Sequence, residues 1–383
     1  MNFRLPGLLF LACAMWAQGP AEELARAMQL AGQGRFAEAE QALRPLEQAH
    51  PKEFEIRYRL GLILLRQGKT GEAAERLETA AQLAPDSPLA WLAVAQTRLK
   101  LGRREPALEA AGRAAKLAPK DPAVWRALAM FYRMAKDPAK AVEAYQKAIR
   151  QAPEQPEPYF DLAGLFLDHR TPEPAVAVLE SAVARFPKES EFWRLLGLAH
   201  YQTGNIGKAI DAFLAVSDLD PDSEVGYASL ETLLAEAGSR LPEIVTRLRE
   251  FRKRQPAIPV GHFLLAKALT VERARAAEVE ALLREAIRTE PKFWPAQYEL
   301  GQLLEAQGKP EEAVRALAQA VTLNPEYAPA HYSLARLCGQ LGDRARAVEH
   351  RKAHHELLKR QREAAERARA ENPALPYRIE AER

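Results

Sequence analysis

Prolines divide this chain into nearly equal lengths. Pro51, Pro85, Pro119, Pro153, Pro187 and Pro221 follow one another at intervals of 34 residues, Pro256 and Pro291 come at intervals of 35, and Pro325 returns to 34. The pattern between prolines repeats as well. In the unit from Asp121 to Pro153, Trp125, Leu128, Ala129 and Tyr132 lie at helical spacing, Lys136-Asp137-Pro138 interrupts them, and Ala141, Tyr145 and Ala148 resume it. Such a unit holds two short amphipathic helices. Alone it cannot cover its apolar faces, so it is stable only when stacked on copies of itself. The expected fold is therefore all-α. A length of 383 residues would ordinarily suggest two or three domains, but the core of a stacked array grows with every unit.

About ten units can be counted. The first, from Pro20 to Glu53, is worn, with Glu23 in the aromatic slot, as suits a terminal unit with one face in solvent. Small residues recur early in both helices, as in Leu60-Gly61 and Ala73, Leu196-Gly197 and Ala209, or Leu300-Gly301 and Ala313. They let two helices approach closely while larger side chains fill the space around them. Ser87-Pro88 and Asp121-Pro122 place a capping side chain before a proline at the first helical position. Units seven and eight are each one residue longer, and the extra residue is expected in the turn between their helices. Glu231 there takes a slot that is elsewhere small, Pro242 follows, and Leu241 to Gln255 is basic, so an irregular joint is expected across 224–291. From Arg344 to Glu371 the helical pattern runs on without Gly or Pro as a basic capping helix, and 372–383 reads as a flexible tail.

A helix–turn–helix repeated at this period resembles the tetratricopeptide repeat (TPR). The resemblance covers residues 20–343, about nine-tenths of the mature chain. It implies a right-handed superhelical solenoid whose inner face is lined by the first helix of each unit. It also implies a non-catalytic scaffold that holds peptides or assembles complexes. Two binding modes of the family are not expected. The lysine- and asparagine-dependent ones would need those residues at positions that here hold Leu62, Gln96, Met130, Gly164 and Leu198.

Met1 to Ala17 has a different composition. Arg4 supplies a short basic start, Leu5 to Ala17 is uncharged and apolar, and Ala12-Cys13-Ala14 offers a signal-peptidase site. Export to the periplasm or beyond is expected, with residues 1–17 removed. Phe10-Leu11-Ala12-Cys13 also resembles a bacterial lipobox, so lipidation at Cys13 is the alternative route to a membrane, and an uncleaved anchor is a third. No later stretch approaches the ~20 apolar residues that span a bilayer. The Ala- and Arg-rich composition and the leader together suggest a bacterial envelope protein.

Chemistry-bearing motifs fail on inspection. Gly68-Lys69-Thr70 imitates the end of a phosphate-binding loop, but Ile63 stands where the first glycine is required. His355-Glu356 lacks the second histidine of a metalloprotease motif, since Lys359 occupies its place. His350, His354 and His355 have a spacing that could hold a metal ion, which leaves a metal-dependent activity as an alternative. His262 and His331 sit in the aromatic slot and are read as packing. Cys338, the only cysteine beyond the leader, reads as a core residue. No cofactor is expected. A formal charge of +3 is too small to point to nucleic acid. The basic helix after Arg344 could meet an anionic polymer or lipid surface, although Glu349, Glu356, Glu363 and Glu366 dilute it.

Transferring the family's inner-face positions onto units two to six gives Tyr58, Leu62, Gln96, Arg126, Met130, Arg133, Phe160, Arg194, Leu198 and Tyr201. Arg126 and Arg133 are seven apart and share a helix face, and Arg194 recurs at the position of Arg126 two units later. The partner expected is a protein or peptide segment that presents acidic side chains beside apolar anchors.

Overall fold

The structure, a computed structural model, describes residues 8–375, and all its regular elements are helical. The first residues of the expected leader and most of the expected tail lie outside the described part. Contacts group the chain into two compact units, Met1–Leu165 and Phe166–Arg383. The first contains α1 (Leu8–Gly32), α2 (Phe36–Ala49), α3 (Phe54–Arg66), α4 (Thr70–Leu83), α5 (Pro88–Lys100), α6 (Arg104–Leu117), α7 (Pro122–Met134) and α8 (Pro138–Gln151). In sequence the units meet within α9 (Glu157–Asp168). The second continues with α10 (Pro172–Arg185), α11 (Ser190–Gln202), α12 (Ile206–Leu219), α13 (Glu224–Ser229) and α14 (Leu241–Arg254). It ends with α15 (Pro259–Val271), α16 (Ala276–Thr289), α17 (Trp294–Ala306), α18 (Pro310–Leu323), α19 (Ala328–Gln340) and α20 (Arg344–Glu371). Apart from the joint between α13 and α14, these are the helix pairs that the proline period implies.

Local chemistry sets each boundary. Ser87 Oγ accepts from the Ala90 amide at 3.3 Å and Asp121 Oδ1 from the Ala123 amide at 2.9 Å, with proline following each cap. The turn inside each hairpin needs one left-handed residue. Gly68 supplies it at φ +79°, and the Lys69 amide then donates back to the Leu64 carbonyl at 2.9 Å. Lys136, Arg170 and Arg273 hold the same slot with φ of 61°, 52° and 56°.

The small slots are explained by what lies opposite. A Cβ on Gly61 would stand 2.6 Å from Leu77 Cγ, and one on Gly301 would stand 2.6 Å from Leu317 Cγ. On Gly197 it would stand 2.6 Å from Phe213 Cδ1. In each case the facing residue lies on the partner helix of the same hairpin, so glycine is what lets the pair close. Ala141 and Ala175 are fully buried at the start of the second helices.

The closing prolines have a second function that packing alone did not suggest. Several of their carbonyls are met by a side-chain donor six residues on: Trp91 Nε1 to Pro85 at 3.0 Å, Trp125 Nε1 to Pro119 at 2.8 Å, and Trp193 Nε1 to Pro187 at 2.9 Å. His262 and His331 do the same through Nε2, to Pro256 at 2.9 Å and Pro325 at 3.1 Å. The slot therefore selects a flat side chain with an N–H or O–H at its tip, and histidine meets that need as tryptophan does.

The irregular joint takes a specific form. After α13 the chain passes through two 3-10 segments, Glu231–Glu236 and Gly238–Arg240, before α14 begins with Pro242 in its first turn. A carboxylate cannot sit unpaired at a close helix–helix approach. Glu231 instead pairs with Lys267 Nζ at 2.8 Å, and the looser backbone accommodates it. At the end of the chain, the Pro373 carbonyl accepts from His169 Nδ1 at 2.8 Å.

Candidate functional site

In the first unit, the expected contact face is built by α3, α5, α7 and the start of α9. On α7, Val124, Leu128, Ala129 and Phe131 are buried. Arg126, Met130 and Arg133, spaced by four and three, share the face that remains. Met130 is 46% exposed and Phe160 42%, and Gln96 and Arg133 are exposed too. Tyr58 and Leu62 are half-buried against the core, and Tyr58 stacks on Phe54 with ring centroids 5.4 Å apart. They contribute as much to packing as to any open surface.

Arg126 is positioned by a neighbour that the sequence reading did not include. Its Nε donates to Asp161 Oδ2 at 2.6 Å, joining α7 to α9. Met134, 57% exposed, also extends the apolar part of this face and was missed. Met134 could have been found by carrying the helix face one position beyond Arg133.

In the second unit, Arg194, Leu198 and Tyr201 lie on α11. Tyr201 is exposed and the other two are half-buried. Arg194 forms a two-pronged ion pair with Glu191 of its own helix, with Nε to Oε2 at 2.7 Å, and this pair raises its pKa. Arg126 and Arg194 thus share a register position but not a role: one links neighbouring repeats and the other is held within its helix. On α15 and α17, Lys267 Nζ lies between Glu231, at 2.8 Å, and Glu299, at 3.5 Å. Burial pushes the Glu299 carboxyl above its ordinary value, and Lys267 opposes that shift.

The metal alternative is not supported by the histidine geometry. His350 Nδ1 faces His331 Nδ1 at 3.1 Å, His354 Nδ1 donates to the Ala328 carbonyl at 3.0 Å, and His355 Nδ1 donates to the Arg351 carbonyl at 3.1 Å. The three side chains of the motif turn to different partners. Among the described residues no group of three or more His, Cys, Asp or Glu side chains is placed to hold a metal ion. The basic stretch around α14 is likewise engaged internally. Arg240 pairs with Asp211 at 2.7 Å, Arg254 with Asp222 at 3.2 Å, and Arg247 with Asp218. On α20, Arg360 reaches Glu326 at 3.2 Å and Arg367 reaches Glu363 at 3.7 Å. Among the described residues no helix is long and apolar enough to cross a membrane. Cys338 is buried and unpaired, and burial raises its thiol pKa.

Helical hairpins of fixed length, stacked in register with open first-helix faces, define a helical-repeat scaffold. Three family models, each described as a tetratricopeptide repeat, match residues 64–131, residues 24–88 and 160–224, and residues 122–165 and 294–337. The chain belongs to the tetratricopeptide repeat family, whose members are in general non-catalytic scaffolds for protein interaction. No curated protein matches its sequence. Among solved structures, it is similar to yeast Tom70 at 16% identity, covering 93% of this chain and 96% of that one with a TM-score of 0.46. It is also similar to the C-terminal part of a TPR repeat-containing protein from Cytophaga hutchinsonii, at 15% identity over 72% and 99% of the two chains, with a TM-score of 0.49. A third, YrrB, described as a TPR protein with an unusual peptide-binding site, is 13% identical over 49% and 97%, with a TM-score of 0.39.

Proposed function

We propose that the chain is an exported, non-catalytic scaffold of the bacterial cell envelope that holds segments carrying acidic and apolar side chains. One observation carries this reading. On α7 and α9, Met130, Met134 and Phe160 stand exposed beside Arg126 and Arg133. Methionine side chains adapt to varied apolar partners. Arg126, held by Asp161, and Arg133 set cationic side chains beside these apolar ones. The envelope assignment rests on the leader-like residues 1–17.

Changing Arg126 and Arg133 together to Glu tests the binding surface. A partner captured from envelope extracts and identified by mass spectrometry should bind the variant more weakly, with a shallower salt dependence. Arg194→Glu tests the α11 position separately, where the arginine is held by Glu191 of its own helix. Unchanged affinity and salt slope in a folded double variant would place the contact elsewhere. N-terminal sequencing of envelope-fraction protein should find a start between Cys13 and Gln18, and an intact Met1 would rule out processing.

A further inference from the structure

A cavity of about 570 Å³ opens between α6, α7 and α8. Trp125, Leu128 and Tyr132 form its apolar floor, and Lys116, Lys140 and Lys147 stand around its rim with one carboxylate, Glu143. On α7 these floor residues lie about 130° around the helix axis from Arg126, Met130 and Arg133. This is a different surface from the one considered above.

The same hollow occurs 68 residues earlier, between the first and second repeats, and the two differ in chemistry. There Arg44 stands in the place of Gly112, Glu47 in that of Ala115, and Arg57 in that of Trp125. These charges satisfy one another. Arg44 pairs with Glu40 at 2.6 Å and Glu72 at 2.9 Å, and Arg57 pairs with Glu47 at 3.1 Å. The later hollow does not neutralise itself. Lys140 pairs with Asp137 at 2.9 Å, but neither Lys116 nor Lys147 forms an ion pair among the described residues. Lys147 Nζ rests 4.3 Å from the centroid of the Trp125 ring, and Lys140 Nζ rests 5.6 Å from that of Tyr132. A Cβ on Gly112 would meet nothing within 4 Å, so the space that Arg44 occupies in the earlier hollow stays open here.

We infer that this hollow binds an acidic polypeptide segment that inserts one apolar side chain onto Trp125, Leu128 and Tyr132. Lys116 and Lys147, which form no ion pair among the described residues, give the charge preference, and the floor gives the apolar anchor its place. The volume lies in the range of sites that enclose a ligand group. Lysines resting on aromatic rings can swing to a carboxylate without breaking a buried pair. The inference rests on the reading of the chain as an interaction scaffold but uses none of Arg126, Met130, Arg133 or Phe160.

The test uses the full chain labelled with 5-fluorotryptophan and a synthetic peptide in which Leu-Phe is flanked by glutamates. A second peptide with lysines in place of the glutamates is the control. The acidic peptide should bind saturably and move the fluorine resonance of Trp125, assigned through Trp125→Phe, while the basic peptide should not. Lys116→Glu with Lys147→Glu should weaken binding about tenfold or more. Gly112→Met, which fills the hollow without altering a charge, should do the same. Arg126→Glu with Arg133→Glu should leave the Trp125 response in place. No saturable binding up to millimolar peptide, or equal affinity in the Lys116/Lys147 and Gly112 variants, overturns the inference. If binding is lost only in the Arg126/Arg133 variant, this hollow is refuted and the first-helix face is retained.

Discussion

Two glycines in helix interiors separate the cost of glycine from its necessity. Alanine at such a position improves helix propensity by about 0.8–1.0 kcal/mol. At Gly164, in α9, a Cβ would meet nothing within 4 Å, so Gly164→Ala should stabilise by about that amount. At Gly197, in α11, the Cβ would lie 2.6 Å from Cδ1 and 2.9 Å from Cζ of Phe213. The Phe213 ring is buried and cannot swing aside, so overpacking of about 1–3 kcal/mol opposes the propensity gain. Gly197→Ala should therefore range from neutral to destabilising by about 2 kcal/mol, and the two variants should differ by about 1–3 kcal/mol. Urea midpoints give the comparison. Hydrogen exchange in α11 and α12 localises it, because repeat arrays need not unfold in one step. The contact itself is tested by a cycle with Phe213→Ala, in which Gly197→Ala should become stabilising, as at Gly164. Equal gains at both glycines, or a cost at Gly197 that survives Phe213→Ala, would refute the small-slot reasoning.

Two other sites give independent predictions. Lys136 holds a left-handed turn position at φ 61° that Gly68 and Gly102 fill in the two preceding repeats, so Lys136→Gly should stabilise by up to about 1 kcal/mol and raise the urea midpoint; a loss would mean that the turn does not strain lysine. His331 donates through Nε2 to Pro325, which leaves its Nδ1 to accept from His350, and burial followed by His331 holds the His350 pKa below its ordinary value. The unfolded chain then takes up that proton first as pH falls, so this contribution is complete above about pH 6.5 and declines below it. Thermal midpoints between pH 7 and 5 should fall more steeply in the unmodified chain than in His350→Gln, whose other nearby charges, Asp343, Arg346 and Glu349, are unchanged; parallel slopes would refute the pairing.

The frame was legible because it depends on positions that repeat. The proline period, the small slots at Gly61 and Gly197 and the caps at Ser87 and Asp121 recur, so each repeat confirms the reading of the others. Pairings specific to one repeat were not legible. Asp161 lies 35 residues from Arg126, and nothing local to either residue indicates that they meet. The partners of the basic stretch around Arg247 were equally hidden, because its aspartates at 211, 218 and 222 belong to the preceding helix and turn. The histidines at 262 and 331 read as packing in the aromatic slot. The missing fact was the proline carbonyl six residues earlier, an acceptor that any flat donor at that reach can satisfy.

Comparison of repeats by position carries the functional argument further than comparison by motif. The floor and rim around Trp125 contain no sequence signature, and each residue is ordinary in its own helix. Aligned with the equivalent residues two repeats earlier, they show a substitution of kind: Arg44 becomes Gly112, Glu47 becomes Ala115 and Arg57 becomes Trp125. Each change removes a charge that closed the earlier hollow, while Lys116 and Lys147 remain at the later one without acidic partners among the described residues. The fold does not require the change, since the earlier hollow is built on the same frame with the opposite chemistry. In a repeat array, side chains that depart from their equivalents while the backbone keeps its register are where a binding role can be accommodated without loss of the core.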